Sequence, residues 1–161
     1  MIKNRLLGLF ILIIVGTVIN QCTSADRDSS GEITKSGDVK VTDMRVGDCF
    51  IDIPNVTDET IQLSTVKAIP CSEPHSWQVF HKSNVMLEEY SLDALTEETT
   101  RICGDATDAL ISTLNDLKFN EYRTADINIS QPTSSSWAKG DRVTTCLIGS
   151  DSQTYYTSIL D

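Results

Sequence analysis

The chain has 161 residues, 40% of them hydrophobic and 6% aromatic, so it can bury the core of one ordinary domain and is not a wholly disordered polypeptide. Its formal net charge is −10, and the residues after position 22 hold 11 basic against 23 acidic side chains. This acidity argues against general electrostatic attraction to nucleic acid or to anionic surface polymers, so no nucleic-acid partner is expected.

Residues 1–22 have the pattern of a signal peptide or signal anchor. Lys3 and Arg5 form a short basic region, and the 14 residues 6–19 follow without a charge. As a helix this apolar stretch would span about 21 Å, short of the ~30 Å hydrocarbon core of a bilayer. The basic residues are expected on the cytoplasmic side, which places the rest of the chain outside the cytoplasm.

Cys22 lies where the lipid-bearing cysteine of a lipoprotein would lie, although Ile19, Asn20 and Gln21 are not the small residues that usually precede it. Three outcomes stay open: lipid attachment at Cys22, retention of the segment as a single-span anchor, and cleavage after Ala25. The first two predict a protein of the cell membrane that faces the extracytoplasmic side. The third predicts a secreted protein.

Residues 23–40 are rich in serine, threonine, aspartate and glycine and have no apolar periodicity, so they are predicted to be a flexible linker before a domain over 41–161. Strands are predicted over 49–53, 61–69 and 77–82. In the third of these segments, Trp77, Val79 and His81 share one face.

Apolar residues recur every three or four positions from Leu92 to Leu117 and predict one long amphipathic helix. Thr96 is the predicted N-cap, with Ser91 as an earlier candidate, and Gly104 is a point where the helix can break in two. Further strands are predicted over 125–130, 143–148 and 153–160, with a turn or single helical turn over 133–141. The pattern indicates an α+β fold, an antiparallel sheet of five or six strands packed by one long helix.

Four cysteines remain when Cys22 is set aside, and an even number in an oxidising compartment indicates two disulfides. Three pairings are open. We favour Cys49–Cys71, which joins two neighbouring strand ends, and Cys103–Cys146, which ties the helix to a late strand.

Cys71, His75 and His81 are the residues nearest to a metal-ligand pattern, but the sequence has no tight Cys-x-x-Cys pair, so neither a metal nor another cofactor is expected. His75 follows Pro74 in a predicted turn. It is either a ligand or general base, or a turn histidine whose ring bonds a backbone group, and we favour the structural role.

Asp48 and Asp141 each follow a glycine, where an aspartate side chain commonly accepts hydrogen bonds from backbone N–H groups in a tight turn. Arg142 is expected to pair with an acidic neighbour, and anchoring of a ligand is the alternative. Trp137 is most simply a cover over the core, with an exposed stacking platform as the alternative. The candidate ligand or partner contacts are therefore His75, Trp137, Asp141 and Arg142.

Several short motifs occur in a fixed order around the four cysteines: VGDCF at 46–50, CSEPHSWQVF at 71–80, a helical Cys103, WAKGDRV at 137–143, and Cys146. In this order and spacing the chain resembles the septum-formation-related domain family of bacterial envelope proteins, over about residues 44–149. The resemblance implies a lipoprotein or single-span protein linked to septation and cell-envelope processes. It implies no enzymatic activity common to the family.

No catalytic constellation is recognised in the sequence. A cysteine nucleophile needs a free thiol, and neither a serine nucleophile elbow nor a phosphate-binding loop is present. We therefore expect a non-catalytic, membrane-tethered extracytoplasmic binding or scaffold module with an unknown envelope protein as its partner. The alternative is an envelope hydrolase or thiol enzyme that uses His75, and a third hypothesis is a sensor whose acidic face meets a basic partner.

Overall fold

The computed structural model describes residues 24–53 and 65–161. The signal segment, Cys22 and the first part of the strand predicted over 61–69 lie outside these residues. Among the residues described, no helix is long and apolar enough to cross a membrane. In chain order the elements are β1 (Asp26–Arg27), β2 (Ile33–Lys35), β3 (Gly37–Lys40), β4 (Cys49–Phe50), β5 (Thr65–Ile69), β6 (Trp77–Asn84), α1 (Leu92–Ile111), α2 (Asp116–Tyr122), β7 (Asp126–Ser130), α3 (Ser134–Trp137) and β8 (Val143–Gly149).

The centre of the fold is a six-stranded antiparallel sheet with the strand order β3-β5-β4-β6-β8-β7. Its longest ladder joins β6 to β8, from the pair Trp77–Gly149 at one end to the pair Asn84–Val143 at the other. A separate hairpin, β1–β2, precedes the sheet. The predicted α+β class, with an antiparallel sheet, one long helix and two disulfides, is confirmed.

Residues 24–40 belong to the fold, and their prediction as a flexible linker is corrected. They contain β1, β2 and β3, and the side chains of Ile33 and Val39 are buried. Each of these strands is only two to four residues long. β2 and β3 bury one apolar side chain each and β1 buries none, which is too few to produce a period that the sequence reveals.

Both faces of the sheet are covered, and each cover forms a core. The hairpin-side core surrounds Phe50, Trp77, Val79 and Leu147 and includes Ile33 of the hairpin. The helix-side core contains seven buried residues: Phe80, Cys103, Tyr122, Cys146, Ile148, Tyr155 and Ile159. Successive residues of β8 therefore point into different cores, as the alternation of side chains along a strand requires.

Helix α1 begins one turn earlier than the favoured cap predicted, because Ser91 is the N-cap and its hydroxyl accepts from the Ala94 amide. The helix continues through Gly104 and ends at Ile111. The predicted apolar stripe does not continue as one helix, because Asn115 caps α2 by accepting from two of its first amides. Leu117, which the pattern placed on the buried stripe, is 82% exposed.

In β6 the predicted common face of Trp77, Val79 and His81 is interrupted by a shift in register between Val79 and His81. Val79 pairs with Leu147, which belongs to the hairpin-side core, whereas His81 pairs with Cys146 of the helix-side core. Because directly opposed residues share a face, His81 lies on the other side of the sheet from Val79.

The strand predicted over 153–160 is wrong. The segment makes only an isolated bridge, in which His75 and Tyr155 exchange two backbone hydrogen bonds of 3.0 and 2.7 Å. Tyr155 and Ile159 then pack into the helix-side core, four residues apart. Ser158 beside Ile159 is buried as well, while Tyr156 and Thr157 are exposed, so burial does not alternate with the period of two of a half-buried strand. The C-terminal segment therefore covers the sheet rather than extending it.

Candidate functional site

The two disulfides join the pairs that the sequence analysis favoured, Cys49–Cys71 and Cys103–Cys146. The first links β4 to the turn after β5, and the second links the middle of α1 to β8. Cys103 and Cys146 are fully buried, whereas Cys71 is 8% exposed and lines a groove. With sequence separations of 22 and 43, loop-closure entropy gives about 3–4 kcal/mol of stabilisation for each bridge.

That groove, which we call the Asp48 groove, is an open depression of about 230 Å³ beside the Gly47–Asp48 turn. Gly47 has a φ of +97°, a conformation that suits glycine and allows the turn. The Asp48 carboxylate, 2% exposed, accepts from both terminal nitrogens of Arg27, at 2.5 and 2.7 Å, and from the Arg45 amide at 2.8 Å. Through the two bonds to Arg27, Asp48 holds the hairpin on the sheet.

His75 is enclosed, with 1% of its surface exposed. Its Nδ1–H donates to the Glu73 carbonyl oxygen at 2.9 Å, because that oxygen can only accept. In the neutral ring Nε2 is then the unprotonated nitrogen, and within the described residues it has no hydrogen-bond partner. Burial lowers the pKa of His75 below its ordinary 6.5, and nearby Lys118 acts in the same direction, against the Glu73 carbonyl and Glu121.

The rings beside His75 form a closed aromatic group. The ring centroids of Tyr155 and His75 are 6.3 Å apart. Tyr155 also stacks on Tyr122, with 4.2 Å between the ring centroids and an interplanar angle of 9°. Burial is the largest cause of a raised pKa for both phenols. The Tyr122 hydroxyl donates to the Thr157 carbonyl. The structural role that the sequence analysis favoured for His75 fits these contacts, since almost none of its surface is exposed.

Trp137, Asp141 and Arg142 come together at the corner between α3 and β8. The Arg142 guanidinium carbon lies 3.5 Å from the Trp137 ring centroid, and Nη1 donates to the carbonyl oxygens of Trp137 and Asp141 at 2.9 and 2.8 Å. Asp141 Oδ1 accepts from the Val143 amide at 3.1 Å. Trp137 is buried and packs edge-on against Tyr90. Arg142 thus stacks on Trp137 instead of forming the acidic pair that the sequence predicted.

His75 and the Trp137 corner are too far apart to act as one site. His75 precedes the first residue of β6, while Arg142 precedes β8 at the opposite end of the same ladder. Seven steps of about 3.3 Å along β6 separate those ends by roughly 23 Å. The sequence-predicted contacts therefore form two separate structural clusters.

Few groups in residues 24–53 and 65–161 are arranged for chemistry. This part of the chain contains no cluster of three or more histidine, cysteine, aspartate or glutamate side chains that could hold a metal ion. The four cysteines there are paired, and His75 Nε2 is sealed from solvent. These contacts hold the N-terminal hairpin and the C-terminal segment at fixed positions on the sheet.

Two residues with central roles were missed by the sequence analysis. Arg27 was assigned to a linker, and Gln78 was given no role. Gln78 is 1% exposed; its Nε2 donates to Ser158 Oγ at 2.8 Å and its Oε1 accepts from the Ile159 amide at 2.7 Å. It thereby holds the C-terminal segment against the sheet. The polar residue between Trp77 and Val79 gave no signal, because a buried amide and an exposed one look alike in sequence.

Comparison of the chain with protein-family models, with curated proteins and with solved structures finds no match.

Proposed function

We propose that this protein is a non-catalytic binding or scaffold module, tethered to the membrane by its N-terminal segment and facing the extracytoplasmic side. The observation that carries the proposal is the pair of disulfides, one of them fully buried in the core. Bridges of this kind are typical of extracytoplasmic and secreted proteins, because thiols stay reduced in the cytosol. The apolar residues 6–19 supply the membrane part of the proposal.

A role as a binding module, rather than an enzyme, is supported by what the candidate residues do. The ring of His75 and the side chain of Asp48 are buried, and the Asp48 carboxylate accepts three hydrogen bonds from Arg27 and Arg45. Arg142 Nη1 and Asp141 Oδ1 bond the backbone of their own turn. What is left for a partner is the surface that these clusters hold in place.

Membership of the septum-formation-related family, and with it a link to septation, is part of the same proposal. It rests on the order and spacing of the Gly-Asp-Cys, Cys-x-x-Pro-His and Gly-Asp-Arg motifs. Both Gly-Asp motifs form turns in which the aspartate accepts a hydrogen bond from a backbone amide. A structural role of this kind would explain why the motifs occur together in one fold.

An envelope hydrolase or thiol enzyme centred on His75 is the second candidate. The observation in its favour is the buried Nε2, which has no hydrogen-bond partner among the described residues and is in the form that accepts a proton. Against it stand the enclosure of the ring and the pairing of Cys71, the nearest cysteine in sequence. A thiol mechanism would require that bridge to open first.

Fractionation of bacteria that express the full chain tests the location. We expect the protein in the membrane fraction after a high-salt wash, with cysteines 49, 71, 103 and 146 protected from alkylation until a reductant is added. Cys22→Ala distinguishes the two anchors. If Cys22 carries a lipid, the substitution changes gel mobility and membrane retention; if the segment is a single-span anchor, the substitution changes neither. A protein that is reduced and stays in the cytosolic fraction would contradict the proposal.

Cross-linking in cells with the leader intact tests the binding role. Recovery of division-site proteins supports the septation link, and His75→Gln should leave that recovery unchanged. His81→Gln is the matched control, since His81 is the only other histidine in the chain. A hydrolytic activity that His75→Gln abolishes and His81→Gln preserves would favour the enzyme instead.

A further inference from the structure

The two edges of the main sheet differ in what lies beside them. At one edge, Ser24 forms a parallel bridge with Asp38 of β3, and the Ala25 amide donates to the Asp38 carbonyl at 3.2 Å. At the other edge, β7 pairs with β8 alone among the described residues. The outer backbone N–H and C=O groups of β7 are therefore a template for one further strand.

Strand β7 lacks the features by which exposed edges usually resist pairing. Residues 126–130 contain no lysine, proline or glycine, and their five pairs with β8 run in register without a bulge. Asp126, the first residue, is the one charged side chain. The other edge strand, β3, ends in the exposed Lys40 in addition to its bridge with Ser24. The edge at β7 is thus the one that a strand can join.

The side chains of β7 match those of a second, antiparallel β7. With Asn128 opposite Asn128 of the second copy, Asp126 lies opposite Ser130 and Ile127 lies opposite Ile129. No like charges meet in this register. Ile127, which is 37% exposed and belongs to the helix side of the sheet through its pairing with Ile148, gains an apolar cross-strand neighbour.

The flank of α1 that lies beside β7 is almost free of charge. Gln131, the first residue after β7, accepts from the Thr99 hydroxyl at 2.8 Å and donates to the Thr96 hydroxyl at 3.4 Å. On a helix of 3.6 residues per turn, the flank of Thr96 continues through Thr100, Gly104, Thr107 and Ile111. Asp93, in the first turn, is the one charged residue of this flank, because the other four acidic side chains of α1 lie farther round the helix. A second copy can therefore approach β7 without meeting the acidic side of α1.

We propose that β7 is a homodimer interface, in which two copies pair antiparallel through β7 with Asn128 on the two-fold axis. The two six-stranded sheets then form one continuous sheet, and the same residues of each copy make the contact. Five residues per copy make a small contact beside the roughly 1,200–2,000 Å² of stable interfaces, so the dimer is reversible and depends on concentration. The pairing goes beyond the binding or scaffold role proposed above, and it needs the folded sheet but not the membrane tether.

A cysteine on the two-fold axis tests the register. In the full chain with Cys22→Ala, kept in detergent, Asn128→Cys sets two thiols opposite each other with Cα atoms about 4.5–5.5 Å apart, within reach of a disulfide. The matched variant is Asp126→Cys, whose two copies are offset by roughly 14 Å along the strands. We expect mild oxidation to give at least fivefold more disulfide-linked dimer from Asn128→Cys on a non-reducing gel. Equal amounts from the two variants, or no dimer from either, would overturn the proposal.

A charge on the same axis tests whether the pairing forms without a covalent link. Asn128→Asp sets two like charges opposite each other, whereas Asn120→Asp makes the same change at an exposed position of α2. Sedimentation of the full chain over a range of concentrations should show a dimer whose dissociation constant rises at least tenfold with Asn128→Asp and changes less than twofold with Asn120→Asp. A chain that stays monomeric throughout would contradict the interface. A dimer that Asn128→Asp leaves equally tight would also contradict it, and would assign the association to another surface such as the apolar residues 6–19.

Discussion

At the scale of single residues, the Asp48 carboxylate attaches the N-terminal hairpin to the sheet. It is buried, and its charge is balanced by Arg27, a residue 21 positions earlier whose side chain is 17% exposed. A buried carboxylate without a partner is costly, so the pair forces the N-terminal hairpin to stay on the sheet. The hairpin in turn contributes Ile33 to the hairpin-side core.

Arg27→Ala should destabilise the oxidised protein by about 3 kcal/mol, because the change leaves the Asp48 charge buried and unpaired. Urea unfolding followed by tryptophan fluorescence measures the loss. Lys35→Ala is the control, since its exposed 3.8 Å pair with Asp26 should contribute less than about 0.5 kcal/mol. Equal stability of Arg27→Ala and the unchanged protein would refute a structural role for the pair.

The sequence was informative where a residue's role depends on its neighbours. Asp48 and Asp141 follow glycines, and both accept backbone hydrogen bonds in turns, as predicted. The partner of Asp48 was not foreseen, because Arg27 is brought to it only by the tertiary fold. Arg142 was expected to pair with an acid, but a tryptophan face and two carbonyl groups within five residues offered a nearer set of contacts.

At the scale of elements, the long helix was predicted well and the short strands poorly. Twenty residues of period 3.6 give α1 a strong pattern, whereas strands of two to four residues give almost none. The sequence predicted five or six strands, and the main sheet has six, but one of the six is not among those predicted. β3 occupies a place in the sheet, while the predicted strand over 153–160 does not form.

The start of α1 can be tested by comparing its two candidate caps. Ser91→Ala should lower the free energy of unfolding by about 0.5–1 kcal/mol, because the Ser91 hydroxyl accepts from the Ala94 amide at the helix start. Thr96→Ala lies inside the helix and should change it by less than about 0.5 kcal/mol. The reverse order in urea unfolding would place the helix start at Thr96.

The disulfides can be ranked by removing each pair. Replacing Cys103 and Cys146 by alanine should cost about 4 kcal/mol, and replacing Cys49 and Cys71 about 3 kcal/mol, since the first bridge closes the longer loop. Denaturant unfolding gives the free energy of unfolding of the two double variants, which is compared with that of the unchanged protein in its oxidised and reduced forms. Two variants as stable as the oxidised protein would rule out a stabilising role.

At the scale of the whole molecule, the C-terminal segment closes the helix side of the sheet around His75. The bridge to Tyr155 and the clamp from Gln78 both hold this segment. Neither contact could be read from the sequence, because each joins residues about 80 positions apart. The sequence also could not show that the candidate residues form two separate groups, since their separation depends on the length and direction of the β6–β8 ladder.

Protonation of His75 should make stability depend on pH. Burial lowers its pKa in the folded protein below the unfolded value of about 6.5, so the folded state binds this proton less readily. Stability is therefore complete above pH 6.5 and falls as the pH drops through 6.5 toward the folded pKa, by at most about 1.4 kcal/mol per pH unit.

Unfolding free energies measured between pH 7.5 and 5 check this slope. His75→Gln should flatten it, whatever its effect on stability at pH 7.5, and His81→Gln should retain it. A slope that is unchanged in His75→Gln would assign the acid sensitivity to other groups.

The short stretch Ser24–Ala25, which pairs with the outer side of β3, also has a consequence for aggregation. Strand β7, at the opposite side of the sheet, has no further strand beside it in the described part of the chain. If a signal peptidase cut after Ala25, the mature protein would lose the residues that cover β3, and its sheet would then present two open edges. Open edges invite strand addition between copies, so the site of processing would decide whether association of the exported protein stops at the β7 pair or continues into polymers through both edges.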